Sequence, residues 1–467
     1  MFSLYITNPG ARVVETGDTT WAVTGGEGDT IAETITEDTD FSAVVTRVQQ
    51  EPGEHSVVAV QTGAGTPQVY AYRGVTSSHE VFYHETPAGD AIVTDHFRNS
   101  LAHLPPDARS VPKQAVVDHL LYRTRSKGTY VDEVSRLGHG ERLDWSIDAS
   151  PTTERVAQLT SPQPIETAEG AVAAINDALE TVLDPVTDDS EIATMLSGGV
   201  DSTLLHTYLS PETPTVSAAF ESPEFDFEVE YAKTASDHLG SDHRVVKAPE
   251  SAYLDHLEQT IDAICLPPHH LQTVHMDLCV RKSDQDCFVN GQFADALFGL
   301  TSAKHAYLAW LIRHGRWFLP PIGRSQKLKT LAEELVKKPS NPQGRAQQFA
   351  VYTDLDATRS AVGRQRIADQ QRARCEYVRQ RVDLASDRAT YDAHMDWGHW
   401  IDYFCDNAVS LWRHTAQAHG AELVTPFATR RLAQTSLDVP PRWRYRKGLE
   451  QKHLLKTLLN ERLPAYS

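Results

Sequence analysis

Cysteine is scarce in this chain and late to appear. There are five, Cys265, Cys279, Cys287, Cys375 and Cys405; the number is odd and no two form a C-x-x-C pair. A paired-cysteine zinc site and a disulfide framework are therefore not expected, and a reducing cytoplasm is the natural compartment. Long apolar runs are also missing. No stretch approaches the run of about 18 apolar residues that a membrane span needs. The segment from Met1 to Val14 has neither a basic start nor a long apolar centre, so it does not read as a signal peptide. Lysine is rare: 13 residues against 31 arginines, within 44 basic and 63 acidic side chains and a net charge of −19. Such a field repels phosphate backbones and argues against a nucleic-acid partner. Many carboxylates with few lysines is also a halophile-like composition.

What is present fits a soluble, globular chain of two or three domains: 467 residues, 40% hydrophobic and 23% charged. Residues 1–150 are β-rich, with strands expected at Phe2–Ile6, Val57–Gln61, Gln68–Arg73, Glu80–His84 and Ala91–Thr94. A helix is expected at Pro112–Tyr122, with Val116, His119 and Leu120 on one face. Residues 151–166 are polar and aperiodic and read as a linker to a second domain, 167–467. There Val172, Ile175, Leu179 and Val182 fall at helical spacing. Strands at Ile192–Leu196, Thr215–Phe220, His243–Val246 and Cys287–Asn290 then alternate with helices. This pattern predicts a doubly wound parallel sheet, with ligands beyond the carboxyl ends of its strands. From about residue 300 the pattern is mainly helical, with no clear strand.

The most informative segment is Met195-Leu196-Ser197-Gly198-Gly199-Val200-Asp201-Ser202-Thr203. A strand runs into a glycine turn and straight on into a helix. Glycines allow close backbone approach to phosphate oxygens, and the exposed N–H groups attract the anion. Ser197, Ser202 and Thr203 add hydroxyls. Asp201 beside a polyphosphate needs a cation between them, so it is assigned to Mg²⁺. No Gly-Lys-Ser/Thr follows, so this is not the Walker pattern. A Ser-Gly-Gly turn that merely joins strand to helix is the bland alternative.

Ser197-Gly198-Gly199-x-Asp201-Ser202 resembles the pyrophosphatase loop of the ATP pyrophosphatase superfamily, whose members cleave ATP between the α- and β-phosphates and adenylate a substrate. Three later segments resemble the asparagine synthase branch: Ala218-Ala219-Phe220 through Leu239-Gly240-Ser241-Asp242-His243; Val289-Asn290-Gly291-Gln292-Phe293-Ala294-Asp295-Ala296-Leu297-Phe298-Gly299; and Leu411-Trp412-Arg413-His414 through Glu422-Leu423-Val424-Thr425-Pro426-Phe427, then Lys452-His453-Leu454-Leu455-Lys456. The resemblance implies an ATP pyrophosphatase domain with a helical extension, using ATP and Mg²⁺. Leu196, Ser197, Gly198, Gly199, Asp201, Ser202, Phe220 and Gly291 are the ATP-binding residues it implies. It makes Asp295 the second metal carboxylate, opposite Asp201. Glu422 is the first candidate for a catalytic base beyond these two.

This chain departs from the family in two ways. Asparagine synthetases carry Glu where Gln292 and Ala296 stand, and Gln cannot act as a general base. β-Lactam synthetases, relatives that close an amide ring, also lack both Glu residues. The family usually places a basic loop that includes a Lys just beyond "LP"; here Leu463-Pro464 is followed by Ala465-Tyr466-Ser467, with Lys447 and Lys452 as substitutes by position only. In the first domain, Tyr83, Ala91–Asp95 and Val134–Gly140 resemble the closing part of a class II glutaminase, an Ntn-like layered fold. That family needs Cys after the initiator Met, and position 2 is Phe2.

The reading is an ATP-dependent amide-forming ligase that adenylates a small-molecule or peptide carboxylate for attack by ammonia or an amine, without its own glutaminase. The acidic balance and the scattered cysteines oppose the alternative of a tRNA-modifying enzyme using the same loop. A scaffold that only binds ATP has no need of the Asp201 and Asp295 pair. In the ligand loop Leu266–His270, His269 and His270 are either substrate contacts or plain loop residues.

Overall fold

Ten strands among the described residues of the first 155 build two sheets, and strands covered on both faces, such as Ser56–Gln61 and Ala91–Thr94, are buried at almost every position. The structure is a computed structural model that describes residues 1–26, 28–63, 65–125, 128–187, 191–222, 226–268, 270, 272–299, 354–381, 397–398, 401, 405–440, 443 and 451–466. One sheet has the order β1-β7-β6-β8, from β1 (Phe2–Tyr5), β6 (Phe82–Glu85), β7 (Ala91–Thr94) and β8 (Ser135–Arg136). The other runs β10-β9-β5-β4-β3-β2, from β2 (Arg12–Thr16), β3 (Thr19–Thr24), β4 (Ser56–Gln61), β5 (Gln68–Arg73), β9 (Glu141–Ser146) and β10 (Thr152–Arg155).

Strand β4 shows how the layers separate. Val58 and Val60 join Phe2, Val69, Ala71, Val93, Leu143 and Trp145 in one core. Val57 and Ala59 turn the other way, onto Trp21 and the helices α1 (Gly28–Ala32) and α2 (Phe41–Val48), where Phe41, Val44, Val45 and Val48 lie. Asp40 caps α2 by accepting from the N–H groups of Ser42 and Ala43. Phe82, Phe97 and Leu104 form a further cluster with α3 (Phe97–Ala102). The result is a layered, β-rich domain.

Two sequence expectations need correction here. In α4 (Lys113–Tyr122), Val116 and Leu120 are exposed, and the buried face is Ala115, Val117, Asp118, Leu121 and Tyr122. The helix therefore packs a face rotated by one residue from the expected one. Part of the segment read as a linker is β10, which pairs antiparallel with β9 and lengthens the six-stranded sheet.

The second domain opens with α5 (Ala168–Leu183), capped by Thr167, with Val172, Ile175, Leu179 and Val182 all buried as their spacing requires. Its sheet is five-stranded and wholly parallel, in the order β13-β12-β11-β14-β15. The strands are β11 (Ile192–Met195), β12 (Thr215–Glu221), β13 (His243–Pro249), β14 (Cys287–Val289) and β15 (Glu422–Val424). Connecting them are α6 (Val200–His206), α7 (Asp226–Leu239), α8 (Tyr253–Ile264) and α9 (Gln272–Lys282), with α10 (Leu355–Val362), α11 (Arg364–Arg379) and α12 (Ser410–Ala418) before β15. After it come α13 (Arg430–Asp438) and α14 (His453–Arg462). Strand β15 falls where none was expected. At three residues it is too short to show a period, and only its pairing with β14 defines it.

From β11 the chain moves outward through β12 to β13, then returns to place β14 on the other side of β11. The order of the sheet thus reverses between β11 and β14, and a crevice opens there beyond the carboxyl ends of both strands. Among the described residues, no helix is long and apolar enough to cross a membrane.

Candidate active site

The Ser-Gly-Gly turn leaves β11 at this reversal. Leu196 is buried and its N–H donates to the Val216 carbonyl, so the strand is still tied to β12 where the turn begins. Gly198 has φ +72, and a Cβ there would lie 2.2 Å from the Tyr231 carbonyl carbon. Only glycine lets the turn lie against α7. The turn braces itself: the Ser197 N–H donates to Ser202 Oγ at 3.1 Å, and the Gly199 N–H to Ser197 Oγ at 3.2 Å. Thr203 is fully buried.

Strand β14 ends in the same crevice. The Asn290 N–H donates to the Val424 carbonyl at 3.0 Å. Asn290 Oδ1 accepts from the Gln292 N–H at 2.7 Å. Gly291 faces the turn after β11, and a Cβ on it would stand 2.9 Å from the Ser202 nitrogen. Asp295 then opens a π-turn, Asp295–Gly299, a widened helical turn of the kind that recurs at functional sites.

The two carboxylates converge. Lys452 Nζ lies 2.6 Å from Asp201 Oδ2 and 2.9 Å from Asp295 Oδ1. Burial pushes the Asp201 carboxyl up and Lys452 pulls it down, while Asp295 adds repulsion; the net value rises to about 6. For Lys452, burial lowers its pKa, but the two carboxylates outweigh that and raise it, so its ammonium is charged at neutral pH. Asp201 Oδ1 is buried and has no hydrogen-bond partner. Lys452 occupies part of the space between the two acids, and the partnerless Asp201 Oδ1 is the ligand atom that could hold Mg²⁺ together with Asp295.

Backbone conformation marks the same place. Lys452 has φ 55 and Phe293 has φ 83, two of the four non-glycine residues at positive φ among those described. Such residues are uncommon, cost of order 1 kcal/mol or more and persist where the surroundings enforce them. Lys452 was a substitute by position only. The structure sets it on both carboxylates, at the N-cap of α14. Nothing in the sequence signals its left-handed backbone.

Other expected residues stand elsewhere. Phe220 reaches the carboxyl end of β12, but its ring is buried edge-to-face against Tyr253 at 5.0 Å and His275 at 5.1 Å. Its ring supports the core beneath the crevice, and its backbone stands at the carboxyl end of the strand. Glu422 begins β15, level with Cys287 and Ile192 at the amino-terminal edge of the sheet, and the turn lies at the opposite edge. Its carboxyl group packs on Gly10, where a Cβ would fall 2.4 Å away. The structure does not bring it to Asp201 and Asp295. His270 is edge-on to Trp412 at 5.8 Å. Lys447 and His269 lie outside the described residues.

A second group of metal-ligating side chains, His139, Cys405 and Asp406, is wholly buried between the two domains. Arg73 and Arg136 already reach Asp406 at 3.0 and 3.4 Å, so its charge is balanced by guanidinium groups and a metal cation would meet repulsion.

A parallel sheet with a phosphate-type turn and two acids at its switch point defines a nucleotide-binding α/β domain. The asparagine synthase family model matches residues 174–467. The chain belongs to that family, whose members are generally ATP-dependent, amide-forming ligases. No curated protein matches the chain.

Proposed function

We propose that this protein joins ATP and a carboxylate into an acyl-adenylate, releasing pyrophosphate. Ammonia or an amine then attacks the acyl carbon, the bond to AMP breaks, and an amide forms. One observation carries the reading: Asp201 and Asp295, from turns after adjacent strands, converge on a single cation beside a Ser-Gly-Gly turn.

In this reading the amides of the turn and the Ser197 and Ser202 hydroxyls hold the β- and γ-phosphates. Asp201 and Asp295 would hold Mg²⁺, which when bound supplies charge neutralisation on the departing pyrophosphate. Lys452 adds a positive charge between the same two acids, where it would offset charge on the adenylate and pyrophosphate. The crevice orients the acid and the amine, which supplies rate through proximity. In this reading the nitrogen comes from outside, because Phe2 stands where a class II glutaminase carries its cysteine. Phe2 is buried against Trp145 at 5.3 Å, and the first cysteine is Cys265. Glu422 is left out of the reacting centre on the position described above.

Pyrophosphate–ATP exchange across a panel of acids tests the proposal, since it reports adenylation without knowledge of the amine. Exchange dependent on one class of acid supports it. Exchange with none, in protein that is folded and supplied with Mg²⁺, overturns it.

A further inference from the structure

The turn Pro464–Tyr466 follows α14 and ends on the phosphate-type loop. The Tyr466 hydroxyl donates to the Gly198 carbonyl. Its ring stands edge-on to His238 of α7, with centroids 5.4 Å apart at 68°. Gly198 is pressed on the other side against the Tyr231 backbone of the same helix.

The carbonyl that Tyr466 grips belongs to the peptide joining Gly198 to Gly199. In a planar trans peptide the carbonyl and the following N–H point in opposite directions. A glycine–glycine peptide turns over easily, because neither residue has a Cβ to resist it. Turned one way, this unit offers an N–H to an anion; turned the other, it offers a carbonyl oxygen that repels one. We infer that Tyr466 is a positioning residue for ATP: by holding the Gly198 carbonyl, it fixes the plane of the Gly198–Gly199 peptide, whose Gly199 N–H meets the Ser197 hydroxyl inside the turn that would receive the phosphates. His238 aims the ring. This rests on the ATP-ligase reading above and assigns a role to a residue no motif singled out.

The test uses the full chain. ATP and pyrophosphate KM are measured by exchange, and magnesium-ATP binding by calorimetry, for wild type and Tyr466→Phe, with melting curves for both. The expected result is a roughly ten-fold weakening for ATP and pyrophosphate, the scale of one lost hydrogen bond. The acid KM and the melting temperature stay put. His238→Leu, which keeps the hydroxyl but frees the ring, shifts the same two constants by less. A merely structural role would lower the melting temperature and move all substrates together. Wild type that binds ATP and pyrophosphate, with both variants binding equally well, overturns the assignment to Tyr466 alone. Wild type that binds neither ligand overturns the ATP reading as well.

Discussion

Arg73 ends β5 in the first domain, and Asp406 lies 333 residues later in the second; Nη2 and Oδ1 meet at 3.0 Å with both side chains fully buried. They anchor a network that joins the domains. Arg136 reaches Glu80 at 2.6 Å, His414 Nε2 lies 2.7 Å from Glu80 Oε2, and His139 Nε2 lies 2.8 Å from Asp406 Oδ1. Nearby, Arg413 binds Glu54 and donates to the Leu423 carbonyl at 2.7 Å, tying β15 to the first domain. Two buried charges that hold each other are weak evidence for net stability, but breaking such a pair strands the remaining charge. Arg73→Ala or Asp406→Ala should each cost about 3–5 kcal/mol in urea unfolding. A loss below about 1 kcal/mol would show that the pair is not buried in solution.

Acid should open this interface late. Burial raises the Glu80 carboxyl, but Arg136, His414 and Arg73 outweigh it and hold it down at about 2. Asp406 is likewise held well below its usual value, with burial opposed by Arg136, His139 and Arg73. Both acids have folded values below their unfolded ones. Their stabilisation is therefore fully present above the ordinary carboxylate range and is lost as pH falls through it toward about 2. Unfolding free energy measured between pH 6 and pH 3 should decline with falling pH. The decline should shrink when Glu80 is replaced by Gln. A Glu80→Gln variant with the same slope as wild type would contradict the assignment.

Asp201 titrates in the opposite sense. Its folded value, about 6, lies above the unfolded one, mainly because it is buried. Protonation at mildly acid pH therefore relieves the folded protein, while it removes the charge that a cation needs. Mg²⁺-dependent ATP binding should weaken by up to about ten-fold per pH unit below 6, with no loss of fold from this group. The measurement is calorimetric binding from pH 8 to pH 5. Affinity that is flat across that range would contradict the role of Asp201 as a cation ligand.

Much of this was legible in the sequence, and the failures have physical reasons. Long periodic elements such as α5 and isolated apolar strands such as β11 and β5 announce themselves, because burial imposes a period of 3.6 or 2. Gly198 was legible because close backbone approach demands glycine, and Gly291 through the family resemblance. Strands β2, β3, β9 and β10 were not foreseen, since their residues mix polar and apolar types at the sheet edges and faces. On α4 the spacing of Val116 and Leu120 favoured a face that the fold leaves outside, with Asp118 buried instead. At the site, Asp201 was singled out by the chemistry of its loop and Asp295 by the family resemblance. The positions of Lys452, Tyr466 and Glu422 depend on which ends of distant segments meet, and no local pattern encodes that.

Nitrogen use should follow from Phe2 and Gln292. Pure protein is expected to release no glutamate from glutamine. It should also make asparagine poorly from aspartate and ammonium at neutral pH, because Gln292 cannot take the proton that ammonium must lose. An amine substrate held by its own side groups should react faster. Product assays at high salt decide this. Asparagine and AMP formed together at rates near one per second, an ordinary turnover, would contradict the expectation and locate a base outside this motif.

The central claim is that Asp201 and Asp295 act together on the leaving pyrophosphate. The most direct measurement is acid-dependent pyrophosphate–ATP exchange by wild type, Asp201→Asn and Asp295→Asn at saturating Mg²⁺, with circular dichroism to verify the fold. The account predicts exchange by wild type and a loss of about 100-fold or more in each folded variant, the scale for removing one preorganised electrostatic group. Folded variants that both exchange within a few-fold of wild type would contradict it.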